Sequence, residues 1–242
     1  MSCISRHEIR FKREKLRWWS VLKSQFPQLS IFETFKTKKE QLTGEAVRQR
    51  HIISHLARED NSALTTRTAI AQNIAKKNNL LWKNIYSGVF RDLDEILIPL
   101  DIVVEAGRLP LKRGPKALQE SGIPYYQLTT KGLLVSLSID DFDQKDSVLN
   151  KFLSKAEIKE KEFASVVKTL VKISPKFTYS MFEIYVKAFC EGKLKNLLPF
   201  SISKFQEISD NAFTTQNELL SGFMALPKTK KFDVLKFFSK FT

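Results

Sequence analysis

Residues 101–134 contain the pattern that most constrains the fold of this chain. Two short apolar segments, Ile102–Glu105 and Tyr125–Leu128, flank a loop that is rich in Gly, Pro and basic residues. The composition of the two segments predicts β-strands, and the Gly and Pro residues between them disfavour a helix. Thr129 or Thr130 then caps a predicted helix. We therefore expect a strand-loop-strand unit that leads directly into a helix.

Three amphipathic helices are predicted before these strands. The first covers residues 45–60, and the second begins after Thr65 or Thr66, which are both good N-caps. The third runs from Leu80 to about Ile98, where Pro99 ends it. The order over residues 45–139 is therefore three helices, a strand, a basic loop, a strand and a helix.

The third predicted helix has two distinct faces. Ile85, Val89 and Leu93 fall within one narrow arc at 100° per residue, which marks the buried side. The opposite arc carries basic, amide and hydroxyl side chains, namely Lys83, Asn84, Ser87 and Arg91. Such a face is suited to contact with base edges, and it is equally typical of a helix surface that only meets solvent.

The charge of the chain favours a polyanionic partner. It contains 40 basic and 26 acidic residues, a formal net charge of +14. All 11 arginines lie at or before Arg113, and the 129 residues that follow contain only lysine as a basic residue. Arginine makes bidentate and stacked contacts that lysine cannot make. We therefore expect residues 1–132 to face nucleic acid.

The remaining segments are predicted to be helical. Residues 5–25 read as a basic amphipathic helix before Pro27, and Ile31–Gln41 as a second helix. Residues 145–242 favour helices throughout, one of them over Lys193–Leu198 and one capped by Ser174. The predicted organisation is a basic extension over 1–44, a central domain over 45–140 and a helical module over 141–242. The predicted class is mainly α, within α+β.

Sequence motifs of catalysis are not found in the chain. It has no Gly-rich phosphate loop, no nucleophile elbow and no metal-type Cys spacing. His51 and His55 are spaced i, i+4, but the Glu of an H-E-x-x-H motif is missing between them. We expect a protein without enzymatic activity, cofactor or metal. With two cysteines and no apolar run of membrane-spanning length, it is expected to be cytoplasmic and associated with DNA.

The element order over residues 45–139 resembles the winged helix-turn-helix domains of bacterial and archaeal transcription regulators. The segments that carry the resemblance are Thr65-Thr66-Arg67, Ile85–Leu97, Ile102–Arg108 and Tyr125–Leu134. Within the last of these, an aromatic-x-Leu-Thr-x-x-Gly phrase is common in MarR- and PadR-like proteins. The long loop between the strands and the basic extension before residue 45 depart from a minimal regulator.

The resemblance implies that helix three enters the major groove of double-stranded DNA, while the loop between the strands, the wing, reaches the backbone or the minor groove. Expected phosphate contacts are Arg67, Lys76, Lys77, Arg108, Lys112, Arg113 and Lys116. Expected base-edge contacts are Lys83, Asn84, Ser87 and Arg91.

The leading hypothesis is a DNA-binding transcriptional regulator whose C-terminal helices form a homodimer or bind a partner. Two alternatives stay open at this point. The winged helix could serve protein–protein contact within a nucleic-acid machine. The chain could also be an initiator of replication or plasmid maintenance, which would bind repeated origin sites instead of a promoter.

Overall fold

Ten α-helices and one two-stranded sheet are found in the residues that the computed structural model describes, which are 27–79, 81–110, 122–139, 144–156, 161–208 and 211–239. The helices are α1 Gly44–Arg58, α2 Arg67–Lys77, α3 Trp82–Arg91, α4 Thr130–Leu137, α5 Lys145–Lys155, α6 Lys161–Ile173, α7 Pro175–Cys190, α8 Ile202–Ile208, α9 Asn211–Ala225 and α10 Lys228–Phe238. The strands are β1 Val103–Leu109 and β2 Ile123–Leu128. The predicted mainly helical class with a small antiparallel sheet is confirmed.

Threonine side chains begin three of these helices. Thr43 accepts a hydrogen bond from a first-turn amide of α1, and Thr66 accepts one from Ala69 in α2. Thr129 accepts one from Gly132 in α4. Each bond satisfies an amide that the helix cannot pair internally. Of the predicted alternatives, Thr65 or Thr66 and Thr129 or Thr130, the structure selects Thr66 and Thr129 as the N-caps.

Helix α3 continues into a π-helical segment, Asp92–Leu97. Leu93 and Leu97 in this segment are buried. A turn over residues 98–101 follows and ends at Asp101, whose φ of 57° is left-handed, and the next residue, Ile102, is buried. The single long helix predicted to begin near Leu80 is thus an α-helix followed by π-helical turns.

The two strands form an antiparallel hairpin that is fastened to the start of α2. Val103 pairs with Leu128, and a bulge between Glu105 and Gly107 shifts the register toward the loop. The Tyr126 amide also donates to the Thr65 carbonyl at 3.1 Å, and Thr66 bridges to Tyr125. The hairpin is therefore held at its base by the turn that leads into α2.

Helix α4 lies at the centre of the packing, with residues 132–137 all buried. It approaches the chain before β1 so closely that a Cβ on Gly132 would lie 2.1 Å from the Ile102 carbonyl oxygen. The Thr129 amide donates to that same oxygen at 3.1 Å. Only glycine permits this approach.

The helix predicted over Ile31–Gln41 is wrong. The Phe35 amide donates to the Gln41 carbonyl, and Thr43 donates to Glu33, so the segment folds back on itself. Tertiary bonds from α1 hold the preceding backbone, because Gln49 Oε1 accepts from the Ser30 amide at 2.9 Å. These contacts outweigh the local helix pattern.

The helix predicted over Lys193–Leu198 is also wrong. Leu194, Leu197 and Phe200 are buried, and the Tyr185 hydroxyl donates to the Leu197 carbonyl at 3.0 Å. Phe200 lies edge-on to Phe152 with ring centres 5.8 Å apart. The irregular backbone thus places three apolar side chains in the core, and the Leu197 carbonyl bonds to Tyr185 instead of to a helix amide.

The start of α7 agrees with its prediction only in part. Pro175 occupies the first turn as expected, but Ser174 makes no side-chain capping bond.

The chain divides into two compact units, residues 1–200 and 201–242. The second unit contains α8, α9 and α10. The predicted boundaries at residues 44 and 140 stay predictions. None of the helices in the described part of the chain is long and apolar enough to cross a membrane.

Candidate nucleic-acid interface

The outward face of α3 presents the four side chains that the sequence predicted for base contact. Lys83, Asn84, Ser87 and Arg91 are all exposed, whereas Val89 and Leu93 behind them are fully buried. The side opposite the core is therefore polar and basic from Lys83 to Arg91. The predicted apolar side is confirmed at Val89 and Leu93, whereas Ile85 is half-buried.

Phe90 lies at the edge of this polar face, and the sequence analysis did not identify it. Its side chain is 42% exposed. Tyr86 precedes it by one turn at a centroid distance of 6.4 Å, and Trp82 stacks edge-on against Tyr86 at 5.9 Å. An aromatic column therefore runs beside the polar side chains, at an i, i+4 spacing that is visible in the sequence.

Arg67, a predicted phosphate contact, is engaged inside the protein. Its guanidinium carbon lies 4.2 Å from the centre of the Phe90 ring and 5.3 Å from that of Tyr126. Its Nη2 forms an ion pair with Asp94. Arg67 therefore joins α2, α3 with its π-helical extension, and β2.

Two polar atoms at this junction are buried with no hydrogen-bond partner among the described residues, Arg67 Nε and the Tyr126 hydroxyl. Burial raises the pKa of Tyr126, so that its hydroxyl stays protonated. The junction thus holds two donors in a largely apolar setting.

Arg91 faces solvent and has a carboxylate nearby. Its side chain is 51% exposed, and its Nη2 lies 3.6 Å from Glu45. Glu45 also accepts from Gln49 at 3.2 Å. An exposed pair at this distance contributes little to stability. Arg91 is therefore held near α1 only weakly.

A buried ion pair fixes α3 to α1. Arg48 donates to both carboxylate oxygens of Asp92, at 2.5 and 3.0 Å, and the Asp92 side chain is fully buried. Burial raises the pKa of Asp92 above its ordinary value of 3.8, an effect that Arg48 only partly offsets. Gly88 leaves room for the guanidinium, since a Cβ there would lie 2.9 Å from Arg48 Cζ.

The other predicted phosphate contacts fall in three places. Lys76 and Lys77 are exposed at the end of α2. Arg108, on β1, donates to Glu105 at 2.7 Å. Lys112, Arg113 and Lys116 lie outside the described residues. The structure therefore brings Lys76 and Lys77 to the turn before α3 and leaves the wing contacts as predictions.

The histidine pair makes separate contacts. His55 is buried, and its Nε2 lies 2.9 Å from the Leu64 carbonyl oxygen. His51 lies 3.5 Å from the Asn78 side chain. The described residues contain no group of three His, Cys, Asp or Glu side chains able to hold a metal ion.

Cys190 is a half-buried thiol on α7. Burial is the main cause that raises its pKa to about 12, so it stays protonated at neutral pH. A nucleophilic role is not expected.

No family model, curated protein or solved structure matches this chain. The arrangement of α3 and the hairpin is therefore interpreted from its own geometry.

Proposed function

We propose that this protein binds double-stranded DNA through α3 and the β1–β2 hairpin, and that it acts as a transcriptional regulator. The observation that carries the proposal is the exposed polar face of α3. This face carries a hydrogen-bonding amide and basic side chains, and the opposite side of the helix is apolar and buried. In the proposed complex this face enters the major groove. Arg91 and Asn84 then contact base edges, for which their donor groups are suited.

A winged-helix arrangement is supported by the order of three helices and a hairpin, and by the bond from Tyr126 to Thr65. Because β2 is hydrogen-bonded to the start of α2, the hairpin and α3 are both positioned by α2. The basic wing between the strands is then available to the phosphate backbone. The net charge of +14 favours this association without regard to sequence.

Arg67 takes a different role in this proposal from the one that the resemblance implied. A guanidinium that pairs with Asp94 and packs on Phe90 and Tyr126 holds α3 and β2 in register. We assign it as a positioning residue, with phosphate contact left to Lys76, Lys77, Arg108 and the wing. Phe90 adds an apolar surface that is suited to a thymine methyl group.

A protein partner for the second unit is part of the same proposal. Its helices expose large apolar side chains at Leu219, Leu220, Met224, Phe232, Leu235, Phe237 and Phe238, and α10 has no buried residue. A surface of this kind is typical of a contact with another protein. We assign it to a homodimer, which would place two copies of α3 on one DNA duplex.

The proposal is tested by a selection of duplexes from random sequences, followed by affinity measurements on the selected and on scrambled DNA. Arg91→Ala is expected to lose preference, with a cost of about 1–3 kcal/mol on the selected duplex and little on the scrambled one. The matched control is Lys187→Ala, which removes an exposed charge from α7. Equal affinity of the natural chain for both duplexes would reject sequence-specific readout.

A further inference from the structure

A basic cleft lies between α1, the end of α2 and two flanking residues, Leu42 before α1 and Ile139 after α4. Its volume is about 90 Å³. Of the eight side chains that line it, four are basic or imidazole groups, Arg50, His51, Arg58 and Lys77, and one is Ser54. The other three are aliphatic, so none of the lining side chains in the described part of the chain is a carboxylate. The chemistry of the lining therefore favours an anion.

The arginines on α1 are held in place by backbone carbonyls. Arg50 Nε donates to Ile31 at 2.7 Å, and its guanidinium lies 5.3 Å from the centre of the Phe32 ring. Arg58 Nε donates to Ser54 at 3.0 Å. Both bonds use Nε and fix the plane of the guanidinium group. Side chains that are already ordered lose little entropy when a ligand binds.

The sequence pattern of α1 explains why these groups converge. Residues 47, 50, 51, 54 and 58 follow the i, i+3, i+4, i+7, i+11 spacing of one helix face. The opposite face, which includes Ile52, Ile53 and Leu56, is buried in the core. Lys77 adds the last charge from the end of α2.

We propose that this cleft binds a single phosphoryl group. Guanidinium forks and a lysine ammonium are the groups that proteins use most for phosphate oxygens. The small volume suits the phosphoryl group itself, with any sugar or base remaining outside. The site is separate from the exposed face of α3, although Lys77 is also one of the assigned DNA phosphate contacts. Phosphate binding at the cleft does not require the proposed function to be correct.

The test is an amide NMR titration of the full chain with inorganic phosphate, at an ionic strength held constant with sodium chloride. Phosphate is expected to shift the amides of His51, Ser54 and Lys77 in a saturable manner. The variants Arg58→Gln and Lys77→Gln are each expected to weaken binding roughly tenfold, since each removes a charge-assisted bond. Lys187→Gln, an exposed lysine on α7, is the matched control and is expected to bind as the natural chain does.

Three outcomes would overturn the proposal. The shifts could fail to saturate, chloride could reproduce them, or Lys187→Gln could weaken binding as much as Arg58→Gln and Lys77→Gln do. Competition by duplex DNA would identify a nucleic-acid backbone as the source of the phosphoryl group, and its absence a free ligand. Both results support the site.

The acidic residues that follow the cleft in sequence provide a second check. Asp140, Asp141 and Asp143 come directly after Ile139, a lining residue. Phosphate is expected to bind both the natural chain and the variant with these three changed to Asn. Binding by the Asn variant alone would overturn the proposal for the natural protein. Urea unfolding of each variant confirms that a loss of binding is not a loss of fold.

Discussion

The guanidinium carbon of Arg67 lies 4.2 Å from the centre of the Phe90 ring, so that the first residue of α2 packs on the exposed face of α3. The same guanidinium pairs with Asp94 and faces Tyr126 on β2. Three elements of the candidate interface therefore meet at one side chain. We expect this residue to set the geometry of the interface from within.

Arg67→Gln is expected to lower the free energy of unfolding by about 2 kcal/mol, because it removes a partly buried ion pair and two cation–π contacts. Urea unfolding followed by circular dichroism measures this. Arg108→Gln breaks an exposed pair on β1 and is expected to cost about 0.5 kcal/mol or less. Equal stability of the two variants would contradict the role given to Arg67.

The Arg48–Asp92 pair predicts that the effect of Gly88→Ala on the free energy of unfolding changes sign when Arg48 is replaced. In the natural chain, Gly88→Ala is expected to destabilise by about 2 kcal/mol, because the new Cβ displaces Arg48 from a buried carboxylate. In an Arg48→Ala background the same change is expected to stabilise by up to about 1 kcal/mol, since alanine favours a helix interior over glycine. A double-mutant cycle by urea unfolding measures both. The same sign in both backgrounds would show that Gly88 is not needed to make room for Arg48.

Asp92 is expected to titrate above its ordinary pKa of 3.8, because burial disfavours its charged form. The folded chain then holds more protons than the unfolded chain at pH values between the two pKa values. The contribution of Asp92 to the free energy of unfolding therefore falls as the pH rises through that window. A carbon-detected NMR titration measures the pKa directly. Arg48→Ala is expected to raise it further, and a pKa below 3.8 in the natural chain would contradict this account.

The exposed apolar side chains of the second unit predict self-association. Sedimentation equilibrium is expected to show a dimer, and Leu220→Ser with Phe232→Ser to weaken it at least roughly tenfold. Gln216→Ser, on an exposed polar position of α9, serves as the control. A natural chain that stays monomeric at high concentration would reject the homodimer.

The local elements of this fold were largely predictable, and the tertiary roles of polar residues were not. Thr66 and Thr129 have the side chains and positions of N-caps, so the starts of α2 and α4 follow from neighbouring residues alone. In the sequence alone, Arg67 is distinguished only as a basic residue next to Thr66. Its role depends on Phe90, Asp94 and Tyr126, which are 23 to 59 positions away.

The two incorrect helices have the same physical origin. Ile31–Gln41 has a helical pattern, but the Ser30 amide bonds to Gln49 and Arg50 bonds to the Ile31 carbonyl. Leu197 likewise gives its carbonyl to Tyr185. In both segments, contacts with distant residues satisfy the backbone, and these contacts have no local signal in the sequence.

The central claim is that this protein binds duplex DNA through basic side chains on phosphates. Its most direct test is the slope of log K against log salt concentration for a duplex. Six assigned phosphate contacts, Lys76, Lys77, Arg108, Lys112, Arg113 and Lys116, predict a slope of about −5. Lys112→Gln with Arg113→Gln is expected to reduce its magnitude by about 2, and Lys187→Gln to leave it unchanged. A slope near zero for the natural chain would contradict the account.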